Sequence, residues 1–277
     1  MNVDALTIKI TKTGWEKFVF VLEEVHRWIA DVGAMFYFLM ACLMGIFQKP
    51  YRIGEFFRHA EFIGNKSVLI VALTGTFTGM ALSYQIYLGF SLVNASNLVG
   101  PTVALAISRE LGPVMTGLIV AARAGGAMAA HIGTMRVSEQ IDALEVMGVD
   151  PVQYLVSPRM VATLLVMPLL CAVFDFVSMA GAHFLCIKIL EMDAAIFWEK
   201  IRLWIEPRHI YEGFFKSVVF GFFFATICTF SGYRTEGGAR GVGNATNRGV
   251  VSSMVMTIIL DYFLSHLIRF YYKIAGI

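Results

Sequence analysis

Long apolar stretches, separated by short polar segments, dominate the sequence and predict membrane-spanning helices. From Ser67 to Ser108 the chain has no charged residue and no histidine, and about 20 mostly apolar residues are enough to cross a bilayer as a helix. We expect the second span to begin irregularly, because Pro101, Gly112 and Pro113 disfavour a regular helix. The five predicted spans cover about residues 67–90, 110–132, 160–187, 213–232 and 250–272.

The apolar stretch over residues 32–47 is shorter than these spans. Its length favours an N-terminal interfacial (elbow) helix, and a sixth span is the alternative. The sequence therefore predicts an all-α integral membrane protein with a single domain over residues 1–277. Within it, residues 1–66 form the N-terminal lead with the interfacial helix, and residues 67–277 form the transmembrane bundle.

Composition agrees with this class. The chain is 57% hydrophobic and 15% charged, whereas soluble domains usually carry about 25% charged residues. Its net charge of +2 gives no reason to expect nucleic acid as a partner. The four cysteines are dispersed in apolar stretches without CxxC spacing, so we expect buried small hydrophobic side chains rather than metal ligands.

The positions of lysine and arginine predict the orientation. With five spans, one side collects the basic residues before the first span, around the loop after the second and after the fourth, and we expect this side to be cytoplasmic. These residues are Lys49, Arg52, Arg58, Lys66, Arg136, Arg159, Arg234, Arg240 and Arg248. The other side also carries basic residues, namely Lys188, Lys200, Arg202, Arg208 and Lys273.

A short charged helix, predicted at about residues 139–147, separates the second and third spans. Ile141 and Leu144 fall on one face at helical spacing, whereas Glu139 and Asp142 fall on another. A segment this polar is too costly to place in hydrocarbon, so it must project into water. It is either a surface linker or a docking element for a partner protein.

The ends of this helix are also predicted. Ser138 suits the N-cap, and Glu139 and Gln140 suit the positive end of the helix dipole. Gly148 suits the left-handed position after the helix, and Asp150-Pro151 prevents its continuation.

The sequence gives little support for an enzyme. The string closest to a phosphate-binding loop, Gly64-Asn65-Lys66-Ser67, lacks the second glycine of GxxxxGK[ST], so ATP would have to be hydrolysed by another chain. Of the six histidines, one, His26, has an aspartate, Asp31, at His-x4-Asp spacing, and none begins an HExxH motif. We expect no catalytic residue and no metal site. A lipid-modifying membrane enzyme and a scaffold without ATP coupling are the alternatives.

Ionisable residues within spans are costly and mark candidate functional positions. Arg109 and Glu110 form either an ion pair that fixes the bundle or a site for a lipid phosphate, which the guanidinium fork suits. Lys216 either snorkels to the interface or holds a lipid phosphate. A structural role is expected for Arg123, and Asp175 and Asp261 are each expected to pair within the protein rather than to bind lipid.

Several motifs, in order, resemble the MlaE permease family over roughly residues 60–265. They read Arg-Glu-Leu-Gly-Pro from 109, Ala-Arg-Ala-Gly from 122, Gly-Thr-Met-Arg-Val-Ser-Glu-Gln-Ile-Asp-Ala-Leu from 133, Met-Gly-Val-Asp-Pro from 147 and Gly-Val-Gly-Asn-Ala-Thr-Asn-Arg-Gly-Val-Val from 241. One departure is His131, where the family commonly has glutamate. It puts in doubt any role assigned to a carboxylate at that position.

The resemblance implies a homodimeric permease of an ABC-type phospholipid transporter in the bacterial inner membrane, which maintains outer-membrane lipid asymmetry. The chain would bind no cofactor, because ATP and magnesium act on a separate cytoplasmic ATPase. A periplasmic MCE-domain protein, expected to be a hexamer, would pass the lipid onward, and in many members a small STAS-domain protein also binds the ATPase. The expected ATPase-coupling residues are Glu139, Gln140, Ile141, Asp142 and Leu144.

The resemblance also implies that the end of the first span lines a lipid cavity. Phe77, Leu82 and Tyr87 are therefore expected to contact acyl chains, beside the polar candidates Arg109, Glu110 and Lys216. Small residues of the same span, Gly75, Gly79 and Ala81, permit close helix approach and are candidates for a dimer seam.

Overall fold

A computed structural model describes His26, residues 30–46 and residues 53–275. Within this part of the chain the secondary structure is helical. The helices are α1 (Ala30–Ile46), α2 (Ile53–Ser91), α3 (Ser96–Val137), α4 (Gln140–Val146), α5 (Val152–Ile189), α6 (Ala194–Trp204), α7 (Pro207–Tyr233) and α8 (Gly238–Ala275). Five of them, α2, α3, α5, α7 and α8, are long and apolar enough to cross a membrane, as predicted.

The shorter apolar helix α1 packs across one end of this bundle. Phe38 of α1 stacks edge-on against Phe230 near the end of α7, and Cys42 contacts Met160 near the start of α5. We call this the α4 end, because α4 joins α3 to α5 there, and we call the opposite end the far end. Of the predicted N-terminal lead, residues 1–29 apart from His26, and residues 47–52, lie outside the described residues. Residues 53–66, assigned to that lead from the sequence, belong to α2.

The predicted start of the second span at residue 110 is wrong, since α3 runs without a break from Ser96 to Val137. Pro101 lies in the first turn of its α-helical part, where an N–H group has no intrahelical acceptor in any case. Pro113 follows a π-helical turn over Ile107–Leu111, and this wider turn accommodates the proline without ending the helix.

Glycines bring α2 and α5 together along their length. A Cβ atom on Gly79 would lie 2.0 Å from the carbonyl oxygen of Ser178, and one on Gly181 would lie 2.4 Å from that of Thr76. The Ser178 hydroxyl donates to the carbonyl of Gly75 at 2.9 Å. Gly75 and Gly79 thus pack against α5 of the same chain. The expectation that these two glycines form a dimer seam is wrong, because α5 already covers them. Ala81, the third residue of that expectation, is exposed, and its part stays a prediction.

We expect Gly79→Ala to lower the stability of the folded chain by about 1–3 kcal/mol, since the new methyl group would push α2 away from the α5 backbone. Denaturant unfolding in detergent would measure the change. Gly89→Ala, also in α2, is the matched control, because a Cβ there would have no atom within 4 Å. An equal effect of the two substitutions would contradict the packing argument.

Candidate functional site

Charged side chains from three helices meet in the far half of the bundle. We call this cluster the polar clamp, and its centre is Lys216, whose side chain is only 1% exposed. An ionised group at membrane depth is costly unless it is paired inside the protein. The clamp consists of Arg109 and Glu110 from α3, Glu212 and Lys216 from α7, and Asp261 and Ser265 from α8.

The ammonium group of Lys216 has four acceptors around it. It donates to Glu110 Oε2 at 2.5 Å, to Asp261 Oδ1 at 3.0 Å, to Ser265 Oγ at 2.7 Å and to the backbone carbonyl of Arg109 at 3.0 Å. Snorkelling of Lys216, the expected alternative to phosphate binding, is therefore excluded in this structure, because the ammonium points into the bundle. The pairing of Asp261 within the protein is confirmed.

A proline explains why a backbone carbonyl is free to join the clamp. The Arg109 carbonyl would normally accept from the N–H group four residues later, but that residue is Pro113, which has no N–H group. Lys216 supplies the missing donor. The sequence feature that makes α3 irregular thus also creates one of the ligands of the buried lysine.

Arg109 and Glu110 pair with different helices rather than with each other. Arg109 donates to Glu212 at 2.8 Å, and this carboxylate is only 5% exposed, whereas Glu110 contacts Lys216 on the next turn of α7. Both residues therefore form ion pairs, as one alternative expected. Each of them pairs with a residue of α7 rather than with its neighbour in α3. Two cations face three carboxylates, so the fully ionised clamp carries a formal charge of −1. Arg109, with 31% of its side chain exposed, is the more accessible of the two cations.

The other charges within the spans behave differently from one another. Arg123 donates to the carbonyl of Phe62 at 2.7 Å and stacks on the Phe62 ring, which ties α3 to α2 and confirms its structural role. Asp175 has no ion-pair partner among the described residues. Its Oδ2 receives only a long 4.0 Å contact from the Cys171 thiol, and its Oδ1 has no hydrogen-bond partner. The expected internal pairing of Asp175 is therefore not seen beyond this long contact with Cys171.

The three apolar lipid candidates of α2 do not share one environment. Phe77 is 65% exposed on the surface of the bundle. Leu82 and Tyr87 are partly buried and pack against the apolar core at the far end, which includes Phe197 of α6. The structure thus brings Arg109, Glu110 and Lys216 together, while Phe77 lies apart from the packing that holds Leu82 and Tyr87.

At the α4 end, one residue of the predicted docking helix is anchored in the protein. Ile141 is fully buried and packs with Phe38, Ile132 and Leu155, and Leu144 is partly buried against the same core. The face of α4 that carries Ile141 is covered by α1, α3 and α5, so an ATPase would not touch this side chain directly. The coupling role expected of Ile141 stays a prediction, in which it would act as an anchor of α4.

Charged residues fix α4 further. Asp142 accepts from Arg136 at the end of α3 at 2.5 Å, and Glu145 accepts from the hydroxyl of Tyr233 at the end of α7 at 3.1 Å. Arg136 also lies over the Tyr233 ring. A movement of α4 would therefore also displace the ends of α3 and α7.

The ends of α4 agree with the prediction at one terminus only. Gly148 is left-handed, with φ +74°, and the bonds Gly148 N–H to Glu145 and Val149 N–H to Leu144 close the helix. At the other terminus Ser138 does not cap the helix, since its hydroxyl donates back to Thr134 in α3. The N-cap position is instead Glu139, which is itself left-handed with φ +58°.

The face of α4 that points away from the protein differs from the predicted one. Glu139 and Gln140 are exposed, as a docking role requires. The most exposed apolar side chains here are that of Val146, the last residue of α4, at 89%, and that of Met147, the next residue, at 66%. The sequence analysis missed Val146 because helical spacing places it on a different face from Ile141 and Leu144. Its position, an apolar residue on the polar face of the helix, could have revealed it.

Comparison with known proteins decides the family. A sequence model of the family Permease MlaE matches residues 56–267. The chain belongs to the MlaE permease family. A probable ABC transporter permease protein of Rickettsia prowazekii is 37% identical over 241 residues, which cover 87% of this chain and 93% of that protein.

Two further relatives have names that mention or suggest lipids. The intermembrane phospholipid transport system permease protein MlaE of Haemophilus influenzae is 32% identical over 244 residues, covering 88% of this chain and 94% of that protein. The chloroplastic protein TRIGALACTOSYLDIACYLGLYCEROL 1 of Arabidopsis thaliana is 39% identical over 216 residues, covering 78% of this chain and 61% of that protein. The chain is thus an ABC permease of the MlaE family with multiple membrane spans.

For this MlaE-family permease we expect Lys216→Met to destabilise the fold by about 1–3 kcal/mol, since it leaves the half-exposed Glu110 and the more buried Asp261 side by side without a cation. Adding Glu110→Gln and Asp261→Asn should recover much of that loss. Unfolding in detergent would be followed for both variants. The exposed Lys273→Met is the control, and a clamp that tolerates Lys216→Met as well as this control would contradict the account.

Proposed function

We propose that this permease works as a homodimer in the bacterial inner membrane and moves phospholipid between that membrane and a periplasmic MCE-domain partner. A separate cytoplasmic ATPase, with which a STAS-domain protein associates in some systems, supplies the energy, and the transport maintains outer-membrane lipid asymmetry. The observation that carries this proposal is α4, a short helix anchored on one face and exposed on the other. The named relatives support the transport class.

The anchoring of α4 suggests how ATPase movement reaches the membrane. The ATPase would contact the exposed strip formed by Glu139, Gln140, Val146 and Met147. Ile141, in the core, and the Glu145–Tyr233 hydrogen bond would pass the displacement to α7. The far half of α7 carries the polar clamp, so α7 would connect ATP-driven movement with the region where we place the lipid.

Arg109 is the side chain through which the clamp would meet a phospholipid head group. Its guanidinium uses its Nε atom on Glu212, and a guanidinium has five N–H donors in all. With 31% of the side chain exposed, the remaining donors are available to a phosphate. Lys216 and Glu110 would hold the site in place. Phe77, Leu82 and Tyr87 are the proposed acyl-chain contacts.

Exposed apolar faces support assembly in a membrane. Large apolar side chains cover the surface of α8, among them Ile258, Phe263, Leu267 and Phe270, each more than half exposed in the single chain. Such a surface fits either lipid tails or a second copy of the chain. A homodimer would give two copies of α4 for two ATPase subunits.

We expect Val146→Glu combined with Met147→Glu to weaken ATPase binding at least about tenfold, because buried interface contacts would become charged. Affinity between the purified permease and its ATPase would be measured in detergent. Val93→Glu is the matched control, since Val93 is 68% exposed but lies in the turn between α2 and α3 at the far end. If the α4 double variant binds the ATPase as tightly as the control does, the exposed strip of α4 is not the ATPase-binding surface.

Replacing Arg109 and Glu212 together by leucine tests the head-group role of the clamp. The free energy of unfolding of this double variant should stay within a few kcal/mol of the parent's, since an apolar pair often substitutes for a buried ion pair. It should nevertheless lower the amount of phospholipid that copurifies, because the accessible phosphate donor is gone. Quantitative lipid mass spectrometry would compare it with Arg269→Leu, which removes an exposed cation of α8. Equal lipid recovery would contradict the head-group role.

A further inference from the structure

A second polar cluster lies at the α4 end and differs from the clamp in its charge. Arg159 of α5 is only 4% exposed, although it is a cation. Its guanidinium donates to the carbonyl of Leu155 in its own helix, and another of its nitrogens lies 3.1 Å from Nδ1 of His131 in α3. A buried cation thus has a backbone carbonyl and an imidazole as its hydrogen-bond partners.

Within residues 30–46 and 53–275, no carboxylate pairs with this cation, as one normally would. Among the described residues none of the ion pairs involves Arg159. The acidic group that acts on it electrostatically is Glu55 of α2, and this carboxylate is already bonded to Arg58 at 3.0 Å. Lys216, by comparison, has two carboxylates in contact. Burying a guanidinium without an anion is unfavourable, so the part of the cluster that the structure describes is short of one negative charge.

His59 of α2 completes the cluster. It is half-buried and lies within electrostatic range of both Arg159 and His131. His131 is exposed, so the cluster is open to the surface on that side. Because a guanidinium only donates, Nδ1 of His131 is the acceptor in the Arg159 contact and its Nε2 carries the hydrogen. The cluster therefore brings together basic side chains from three helices.

The depth of the cluster matches a lipid head group. His131 lies six residues before the end of α3, His59 six residues after the start of α2, and Arg159 seven residues after the start of α5. At 1.5 Å per residue, all three lie about 10 Å inside the ends of their helices. These helices have 38 to 42 residues and are longer than the hydrocarbon core. A position about 10 Å from their ends is therefore close to the membrane interface.

We propose that Arg159, His131 and His59 bind a phosphate group at the α4 end of the bundle. The phosphate comes either from a phospholipid of the adjacent leaflet or from inorganic phosphate in solution. A guanidinium has five N–H donors, so Arg159 keeps three of them for phosphate oxygens after its contacts with Leu155 and His131. The site is separate from the polar clamp, and it does not depend on the ATPase or on transport.

The test supplies the missing negative charge within the protein. His131→Glu places a carboxylate beside Arg159, so the variant should unfold at a higher temperature than the parent in phosphate-free buffer. Inorganic phosphate, or nanodiscs of phosphatidylglycerol, should raise the unfolding temperature of the parent but not of the variant. The affinity for phosphate should fall roughly tenfold or more. His266→Glu on α8, another exposed histidine, is the matched control and should behave like the parent.

Comparing the two probes separates the two possible sources of the phosphate. Stabilisation by phosphatidylglycerol, but not by inorganic phosphate or by nanodiscs of monogalactosyldiacylglycerol, identifies a lipid head group. Stabilisation by inorganic phosphate in detergent identifies the soluble anion. The proposal is overturned if neither probe stabilises the parent, or if His131→Glu keeps the full response. Should His131→Glu not accumulate, His59→Glu makes the same test.

Discussion

The burial of one positive charge in a membrane bundle is the constraint on which much of this structure depends. Lys216 cannot reach water, so three helices must bring acceptors to it. Glu110 and Asp261 supply the negative charge, and Ser265 and the carbonyl of Arg109 supply neutral oxygens. Because each acceptor is useful only in its place, the register of α3 against α7 and α8 is tightly specified in this half of the bundle.

The other end of the bundle follows a different rule. There α4 is held by an apolar anchor, Ile141, and by the partners of Asp142 and Glu145 at the ends of α3 and α7. The outward strip includes the highly exposed Val146 and Met147. A helix that is rigidly attached on one side and apolar on the other suits a partner that pushes on it. The clamp and α4 share α7, which is why we regard this helix as the link between them.

Much of the fold could be predicted from the sequence, because membrane spans are long and apolar and depend little on their neighbours. Five spans, a shorter N-terminal helix and the left-handed Gly148 were all predictable. The start of α3 was not, since Pro113 normally breaks a helix, and only the π-helical turn before it explains why the helix continues.

The candidate site was predictable in its residues but not in its contacts. The sequence shows that Arg109, Glu110 and Lys216 are costly in a membrane, but adjacent positions on a helix point in different directions, so the partner of each depends on the packing of α3, α7 and α8. Helical spacing likewise placed Ile141 on the apolar face of α4 without indicating that this face is covered by the protein. His131 was visible as a departure from the family pattern, whereas its contact with Arg159 required the fold.

Purification of the tagged chain from its native host in mild detergent, with mass spectrometry of the proteins and lipids that accompany it, tests the central claim most directly. The account predicts that an ABC ATPase and phospholipid are recovered with the chain, and that the ATPase is lost when Val146 and Met147 are made acidic. A chain that purifies alone at every detergent strength, without an ATPase, would contradict it.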